Sequence, residues 1–365
     1  MADDVRYGII GSGMMGIEHM LNLAAVDGAT VTAIADPAPA SRELALAFAG
    51  PDSATPAGST IVEFEHHQEL LTSGLCDAVV VATPNFTHVD VLVDVLATGT
   101  NVLVEKPLCT TVTDCRRVMA AAEGHPGVVW VGLEYRYMPP VTRFIEHVRA
   151  GEVGRVRMLA IREHRFPFLE KVGDWNRFNR NTGGTLVEKC CHFFDLMAHV
   201  LEARPVRVQA SGGQDVNHLD ERYGGETPDI LDNAFVIVDF DDGARALLDL
   251  CMFAEGSEHQ EELSAVGELG KVEAFLPQST VRLGTRRGGR RGVVTEQVHD
   301  DRVRYEGFHH GSSYLEHLDF LAAVRSGGRA AVSLEDGLLS VAVGIAAQRS
   351  IDDARPVTLD EILAD

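Results

Sequence analysis

The sequence predicts an α/β protein in which an N-terminal, doubly wound parallel sheet is followed by a C-terminal, open-faced and mostly antiparallel sheet. Three observations predict this fold. Apolar runs alternate with helical patterns over the first 135 residues, a glycine-rich loop follows the first run, and hairpin signals dominate later in the chain. We therefore place one domain at residues 1–135 and a second, α+β domain at residues 136–365.

The first domain contains short, continuous apolar runs, which are typical of strands covered by helices on both faces. We predict strands at Val5–Ile10, Val31–Ala35, Ala78–Ala82, Asn101–Val104 and Val128–Val131. Helical periodicity lies between them at Met14–Val26, Val89–Ala97 and Asp114–Glu123. This alternation is the pattern of parallel strands joined by crossover helices.

The second domain begins with a helix that Pro139-Pro140 opens and that extends to Ala150, and it then changes to long strands. We predict hairpins from Phe235–Phe240 with Arg245–Leu250, and from Glu262–Val266 with Val272–Leu276. Two amphipathic stretches, Ser313–Ser326 and Glu335–Arg349, close the chain. Antiparallel strands with few helices indicate an open sheet.

Composition excludes several classes of protein. The 365 residues include 54 acidic and 32 basic side chains, and the resulting charge of −22 argues against nucleic acid as a partner. A short basic run, Arg286–Arg291, is either a solvated hairpin turn or a binding patch. No apolar stretch approaches the ~20 residues of a membrane-spanning helix, and the acidic N-terminus is unlike a secretory signal. With six cysteines and no C-x-x-C spacing, we expect a reduced, cytoplasmic protein without a membrane partner.

The loop after the first strand has the spacing G-x-G-x-x-G, with glycines at 11, 13 and 16. Between a strand and a helix, this motif binds the pyrophosphate of a dinucleotide. Gly11, Gly13, Met14, Met15 and Gly16 are therefore candidate cofactor contacts. Asp36 follows Gly16 by 20 residues, where a carboxylate binds the ribose hydroxyls, and it favours NAD over NADP because it repels a 2′-phosphate. Alternatively, Asp36 caps the next helix.

Two further segments end strands at the edge where doubly wound sheets bind cofactors. Thr83, Pro84, Asn85 and His88 follow one strand, and Glu105-Lys106-Pro107 ends the next. We predict that Thr83, Pro84, Asn85, His88, Glu105 and Lys106 contribute to the cofactor site. A lysine there can stabilise negative charge on a substrate oxygen; the alternative is a surface lysine bridged to Glu105.

A helix is predicted after Gly183-Gly184, because apolar residues from Leu186 to Leu201 recur at helical spacing. Glu188, His192, Asp195 and His199 then form one polar line. A carboxylate one turn before a histidine can orient the imidazole as a general base. The alternative is an exposed stripe of ordinary helix ion pairs.

Taken together, these motifs resemble the glucose–fructose oxidoreductase/inositol dehydrogenase (Gfo/Idh/MocA) family. The resemblance rests on the glycine loop, Asp36, Pro84-Asn85 with His88, Glu105-Lys106-Pro107, Tyr135-Arg136-Tyr137, and Gly183-Gly184 leading to Glu188, His192 and Asp195. It implies a Rossmann domain, an open-faced sheet domain, catalysis in the cleft between them, and a homodimer or homotetramer formed through the outer face of the sheet.

By position, the resemblance implies that Lys106 is the catalytic lysine and His192 the acid/base histidine. Glu188 stands where the family usually has aspartate, and Asp195 stands at a substrate-contacting or orienting acid. Lys189-Cys190-Cys191 replaces smaller residues, which puts substrate identity in doubt more than reaction type. Further candidates for substrate contact are Arg136, Lys189, Arg162, His164, Arg165 and Trp175.

The sequence thus predicts an NAD-dependent oxidoreductase acting on a secondary hydroxyl of a sugar or cyclitol. Two alternatives stay open. One is an enzyme that recycles NAD while cleaving a glycoside or epimerising its substrate, and the other is a non-catalytic NAD-binding sensor or corepressor. We expect no metal, because the pairs His66-His67 and His309-His310 do not place two imidazoles on one helix face.

Overall fold

The computed structural model describes residues 4–49 and 61–364. The chain divides into two compact units, Met1–Glu134 with Asp301–Leu338, and Tyr135–Asp300 with Leu339–Asp365. The first break lies next to the predicted boundary at residue 135. The prediction assigned residues 301–338 to the second domain, whereas the structure groups them with the first unit.

Unit 1 contains a six-stranded parallel sheet with helices in the connections. Its elements are β1 (Val5–Ile10), α1 (Met14–Ala24), β2 (Ala29–Ala35), α2 (Pro39–Ala49), β3 (Val62–Phe64), α3 (His67–Thr72), β4 (Ala78–Val81), α4 (His88–Leu96), β5 (Asn101–Glu105), α5 (Val112–Ala121) and β6 (Val129–Gly132). The strand order is β3-β2-β1-β4-β5-β6. This is the Rossmann order, in which the switch point between β1 and β4 is the cofactor-binding position.

The predicted strands of unit 1 are confirmed to within two residues, because burial on both faces leaves a clear apolar run in each. All four residues of β4 are buried, for example. The short β3 is more exposed and was not predicted.

Unit 2 is built on a nine-stranded sheet. Between residues 139 and 297 its helices and strands are α6 (Pro139–Arg149), β7 (Val156–His164), α7 (Asn179–Thr182), α8 (Thr185–Glu188), α9 (Cys191–Leu201), β8 (Pro205–Gly213), β9 (Asn233–Phe240), β10 (Arg245–Cys251), β11 (Glu261–Gly267), β12 (Gly270–Leu276), β13 (Thr280–Thr285) and β14 (Val294–Gln297). The chain closes with α10 (Ser312–Ser326), α11 (Leu334–Asp353), β15 (Val357–Thr358) and α12 (Leu359–Ala364).

The strand order of this sheet is β14-β13-β12-β11-β7-β10-β9-β8-β15, and its pairs are antiparallel except for β7 with β10. Buried and more exposed residues alternate along β9 and β10, so one face of the sheet is covered and the other is open. Helices α6, α9 and α12 pack on strands of this sheet. The basic run at 286–291 is the exposed connection between the paired strands β13 and β14, as expected of a hairpin turn.

Candidate active site

The glycine loop of unit 1 has a separate steric reason for each glycine. Gly11 has φ +90°, and a Cβ atom there would lie 2.6 Å from the Ala82 carbonyl oxygen. A Cβ atom on Gly16 would lie 2.0 Å from the Gly11 carbonyl oxygen, so the start of α1 packs directly on the loop. No described atom lies within 4 Å of a Cβ built on Gly13. Gly13 therefore leaves open space beside the helix N-terminus, as close approach of a ligand to the backbone requires.

The start of α1 provides hydrogen-bond donors at this open space. Its first intrahelical bond runs from the Ile17 N–H to the Gly13 carbonyl, so the N–H groups of Met14, Met15 and Gly16 precede it. Within the described residues, no side chain caps Gly13 and the first turn carries no acidic residue. These donors and the helix dipole fit the phosphates of a dinucleotide.

Asp36 follows β2 and joins the glycine loop to the start of the next segment. Its Oδ2 accepts the Ser12 N–H at 2.9 Å, and its Oδ1 accepts the Ala38 N–H at 2.8 Å just before α2. The Ala38 N–H precedes the first residue of α2, Pro39, and the Ala38 carbonyl accepts the first helical bond from the Arg42 N–H, so Asp36 is not the N-cap of this helix. Because each carboxylate oxygen has a second lone pair, the half-buried group can still accept from ribose hydroxyls.

The loop after β4 places Asn85 and His88 in different environments. The Asn85 Nδ2 is buried and has no hydrogen-bond partner among the described residues, which fits a site completed by a ligand. His88 is fully buried, and its ring nitrogens lie 2.9 Å from the Pro107 carbonyl and 3.0 Å from the Thr83 carbonyl. Burial lowers the pKa of His88, although the two carbonyls oppose this shift. His88 therefore joins the loops that follow β4 and β5, and both of its ring nitrogens face protein acceptors.

Glu105, at the end of β5, is held from two sides. Its Oε1 lies 2.9 Å from the His19 Nε2, and its Oε2 accepts the Lys106 N–H at 3.1 Å. Burial would raise the pKa of Glu105, but the hydrogen bond and charge of His19, with Lys106 and His309, lower it to about 2. The His19 Nδ1 continues to the His317 Nε2 at 2.8 Å. Glu105 thus anchors α1 and α10 to the strand end that carries the half-buried Lys106.

His19 and His317 were not among the residues predicted for this site. His19 lies five residues into α1, and its partner His317 is 298 positions away in α10. No local pattern signals a pair at that separation.

The predicted continuous helix after Gly183-Gly184 is wrong, because the structure interrupts it between α8 and α9. The Cys190 N–H bonds the Thr185 carbonyl five residues back, which widens the turn at Lys189 and Cys190. His192, Asp195 and His199 remain on α9, whereas Glu188 belongs to the preceding turn. Glu188, His192 and Asp195 are all buried, so the alternative of an exposed stripe is also wrong for these three residues.

Within unit 2, the structure pairs several candidates with one another. Arg136 donates from Nε to the Asp195 Oδ2 at 2.7 Å and from Nη2 to the other carboxylate oxygen. The imidazole of His192 stacks on the Tyr135 ring, with centroids 4.0 Å apart and planes 9° apart. Lys189 donates to the hydroxyl of this same tyrosine at 2.6 Å.

His164 lies on the other side of the nine-stranded sheet from this group. Its Nε2 lies 3.0 Å from Asp249 Oδ1, and the exposed Arg162 binds the same carboxylate. The intervening Glu163 is fully buried and lies 2.9 Å from the Lys189 Nζ. Because neighbouring residues on a strand point to opposite faces, the structure does not bring His164 or Arg162 together with His192, contrary to the predicted shared role. Trp175 is half-buried, with the Lys171 Nζ 6.0 Å from its ring.

No helix among the described residues is long and apolar enough to span a membrane. The same residues contain no group of three or more His, Cys, Asp or Glu side chains that could hold a metal ion.

The strand order and the geometry of the glycine loop define a dinucleotide-binding Rossmann unit. A model of an oxidoreductase family, NAD-binding Rossmann fold, matches residues 5–133, and the C-terminal alpha/beta domain of the same family matches residues 145–359. The chain therefore belongs to the Gfo/Idh/MocA oxidoreductase family.

Similar proteins match over nearly the whole chain. A myo-inositol 2-dehydrogenase of Thermotoga maritima is 27% identical over 98% of this chain and 100% of its own length. An NAD⁺-dependent scyllo-inositol 2-dehydrogenase of Bacillus subtilis is 25% identical over 99% of this chain and 98% of its own. A levoglucosan dehydrogenase solved with NADH has a TM-score of 0.84 at 19% identity, covering 98% of this chain and 99% of its own; this likeness shows the fold.

Proposed function

We propose that this protein is an NAD-dependent dehydrogenase that oxidises a secondary hydroxyl of a cyclitol or a related sugar. The observation that carries the proposal is its end-to-end similarity to two inositol 2-dehydrogenases. Lys106 and His192 support it, because they occur at the positions that the family resemblance assigns to catalysis.

Asp36 supports NAD over NADP. Its carboxylate lies at the end of β2, where it bonds the glycine loop. A 2′-phosphate about 4 Å from this carboxylate would be repelled by about 4 kcal/mol at an effective dielectric constant near 20, before relaxation. When bound, NAD supplies the acceptor for the hydride that leaves the carbinol carbon.

The residues of the chain supply the proton chemistry. We assign to His192 the removal of the hydroxyl proton, and to the Lys106 ammonium the stabilisation of negative charge on the same oxygen. Glu188 is the candidate for orienting His192. The Arg136 guanidinium fixes the Asp195 carboxylate from two nitrogens, and we assign to Asp195 the binding of a neighbouring hydroxyl.

The open face of the nine-stranded sheet supports a homodimer or homotetramer. Met158, Phe235 and Ile237 lie on this face and are 56%, 61% and 46% exposed. Leu247 stands opposite Ile237 in the strand register and extends the apolar patch. Monomeric proteins rarely expose large contiguous apolar patches, so we assign this face to self-association.

The test is NADH absorbance with inositols, other cyclitols and pyranosides, supplied with NAD or NADP. We expect net NADH from at least one cyclitol or sugar. Lys106→Met and His192→Ala should each lower turnover by about 10³-fold or more while the Kd for NAD changes by less than about threefold. Cleavage or epimerisation without net NADH would replace this proposal with the NAD-recycling alternative. Tight NAD binding with no turnover of the panel would favour the sensor.

A further inference from the structure

Lys189 is a buried lysine that contacts Tyr135, the residue whose ring stacks on the proposed base, His192. Lys189 is only 5% exposed and occupies the widened turn between α8 and α9. Its Nζ lies 2.6 Å from the Tyr135 hydroxyl and 2.9 Å from the Glu163 Oε1. A buried ammonium is costly unless it is paired, so these two contacts fix the position of the side chain.

Tyr135 connects this lysine to His192. One face of its ring stacks on the imidazole, and Phe193 meets the ring at 5.7 Å in an edge-on arrangement. The Lys189 Nζ lies 4.9 Å from the centroid of the tyrosine ring. The Tyr135 ring is thus held by its face and by its hydroxyl, and it limits rotation of the imidazole.

Two carboxylates and a guanidinium face the ammonium. Glu163 on β7 stands opposite Glu261 on β11, both are buried, and the Arg165 Nη1 lies 3.3 Å from the Glu163 carboxylate. Burial and the charge of Glu163 raise the pKa of Glu261 to about 7. Burial lowers the pKa of Lys189, and Glu163 opposes this shift. Glu163 is therefore the anion that keeps Lys189 charged and in place.

On the basis of the proposed function, we infer that Lys189 is a positioning residue: through the Tyr135 hydroxyl it holds the aromatic ring against His192 and fixes the plane of the imidazole. This differs from the direct substrate contact that the sequence suggested. All the donor contacts of Lys189 described above are to protein atoms, and its closest route to the chemistry runs through Tyr135.

The experiment compares Lys189→Met, Tyr135→Phe and the double variant in the 365-residue chain. Lys271→Met and Tyr223→Phe are matched controls: Lys271 pairs with Glu273 on an exposed part of β12, and the Tyr223 hydroxyl donates to Glu221. We expect each test variant to lower kcat by about tenfold with KM within about twofold of wild type. The kcat of the double variant should be no lower than that of the slower single variant, because both substitutions remove the same hydrogen bond, from the Lys189 Nζ to the Tyr135 hydroxyl.

A second readout does not depend on activity. With ¹³C-labelled histidine and no cofactor, the His192 ring signals are identified by their loss in His192→Ala. In Lys189→Met, the Tyr135 ring should no longer be held against the imidazole, and the loss of stacking should move the His192 signals downfield by a few tenths of a ppm.

Lys189→Met leaves Glu163 without its cation, so Glu163→Gln/Lys189→Met is measured beside it as a charge-balanced variant. The same downfield movement is expected there. The inference is overturned if the His192 signals of this variant remain at their wild-type positions, or if the effects of Lys189→Met and Tyr135→Phe on kcat multiply independently. Failure of the proposed function has a different signature: the wild type forms no NADH from any cyclitol or sugar, while the NMR comparison still decides whether Lys189 positions His192.

Discussion

The two glycines at the start of α1 predict opposite outcomes for the same substitution. In Gly16→Ala, the added methyl group would lie 2.0 Å from the Gly11 carbonyl oxygen, which is backbone and cannot rotate away. Overpacking of this kind costs about 2–3 kcal/mol, so the Tm of the protein without nucleotide should fall by about 5–10 °C. In Gly13→Ala, the methyl group meets no described atom within 4 Å, and the φ of −74° is accessible to alanine.

Gly13→Ala should therefore leave the Tm within about 2 °C of wild type, because the site has room and the backbone is unstrained. Its methyl group instead fills the space beside the helix N-terminus, so the Kd for NAD should rise by about tenfold or more, equivalent to about 1.4 kcal/mol. Differential scanning calorimetry and isothermal titration calorimetry measure the two quantities on the same samples. A wild-type Tm in Gly16→Ala would contradict the packing role of Gly16, and a wild-type Kd for NAD in Gly13→Ala would contradict the role of Gly13 in ligand approach.

Three further predictions concern Asp36, Glu261 and Ile237. Asp36→Asn removes the charge that repels a 2′-phosphate, so the ratio of kcat/KM for NAD over NADP should fall by about tenfold or more; an unchanged ratio would contradict that role. The pKa of the Glu261 carboxyl is about 7 in the folded protein, above its ordinary value of 4.5. As pH rises from about 4.5 to about 7, this carboxyl ionises in the unfolded chain before it ionises in the folded protein, so the free energy of unfolding falls. Glu261→Gln removes this carboxyl, so the variant's advantage over wild type in free energy of unfolding, measured in urea, should grow by up to about 3 kcal/mol from pH 5 to pH 8. An equal advantage at both pH values would contradict the raised pKa. Ile237→Glu places a charge in the exposed apolar patch and should lower the molar mass measured by light scattering to that of a monomer, whereas an unchanged assembly would place self-association elsewhere.

Much of unit 1 could be predicted because its signals are local. Strands buried on both faces give continuous apolar runs, and the glycine loop constrains its own backbone. The assignment of residues 301–338 to this unit could not be predicted, because it depends on contacts across most of the chain. The bond between His19 and His317, and the Trp130 indole that donates to Glu316 at 3.0 Å, are two such contacts.

In unit 2, the sequence identified His192 and Lys189 but not how they are connected. The interruption of the helix depends on one backbone bond, from the Cys190 N–H to the Thr185 carbonyl, which helical periodicity does not report. Glu163 lies beside two candidates, Arg162 and His164, and strand alternation alone does not show which face is covered. In the structure, Glu163 lies on the buried face of the sheet with Lys189, whereas Arg162 and His164 lie on the open face.

The measurement that tests the account most directly is transfer of deuterium from a cyclitol labelled at its carbinol carbons to NAD, followed by mass spectrometry. The wild type should produce labelled NADH, and Lys106→Met, saturated with NAD to the same extent, should produce it at least about a thousandfold more slowly. Wild-type transfer by Lys106→Met, or NADH that carries no label, would contradict the assignment of this protein as a cyclitol or sugar dehydrogenase whose lysine at position 106 acts on the substrate oxygen.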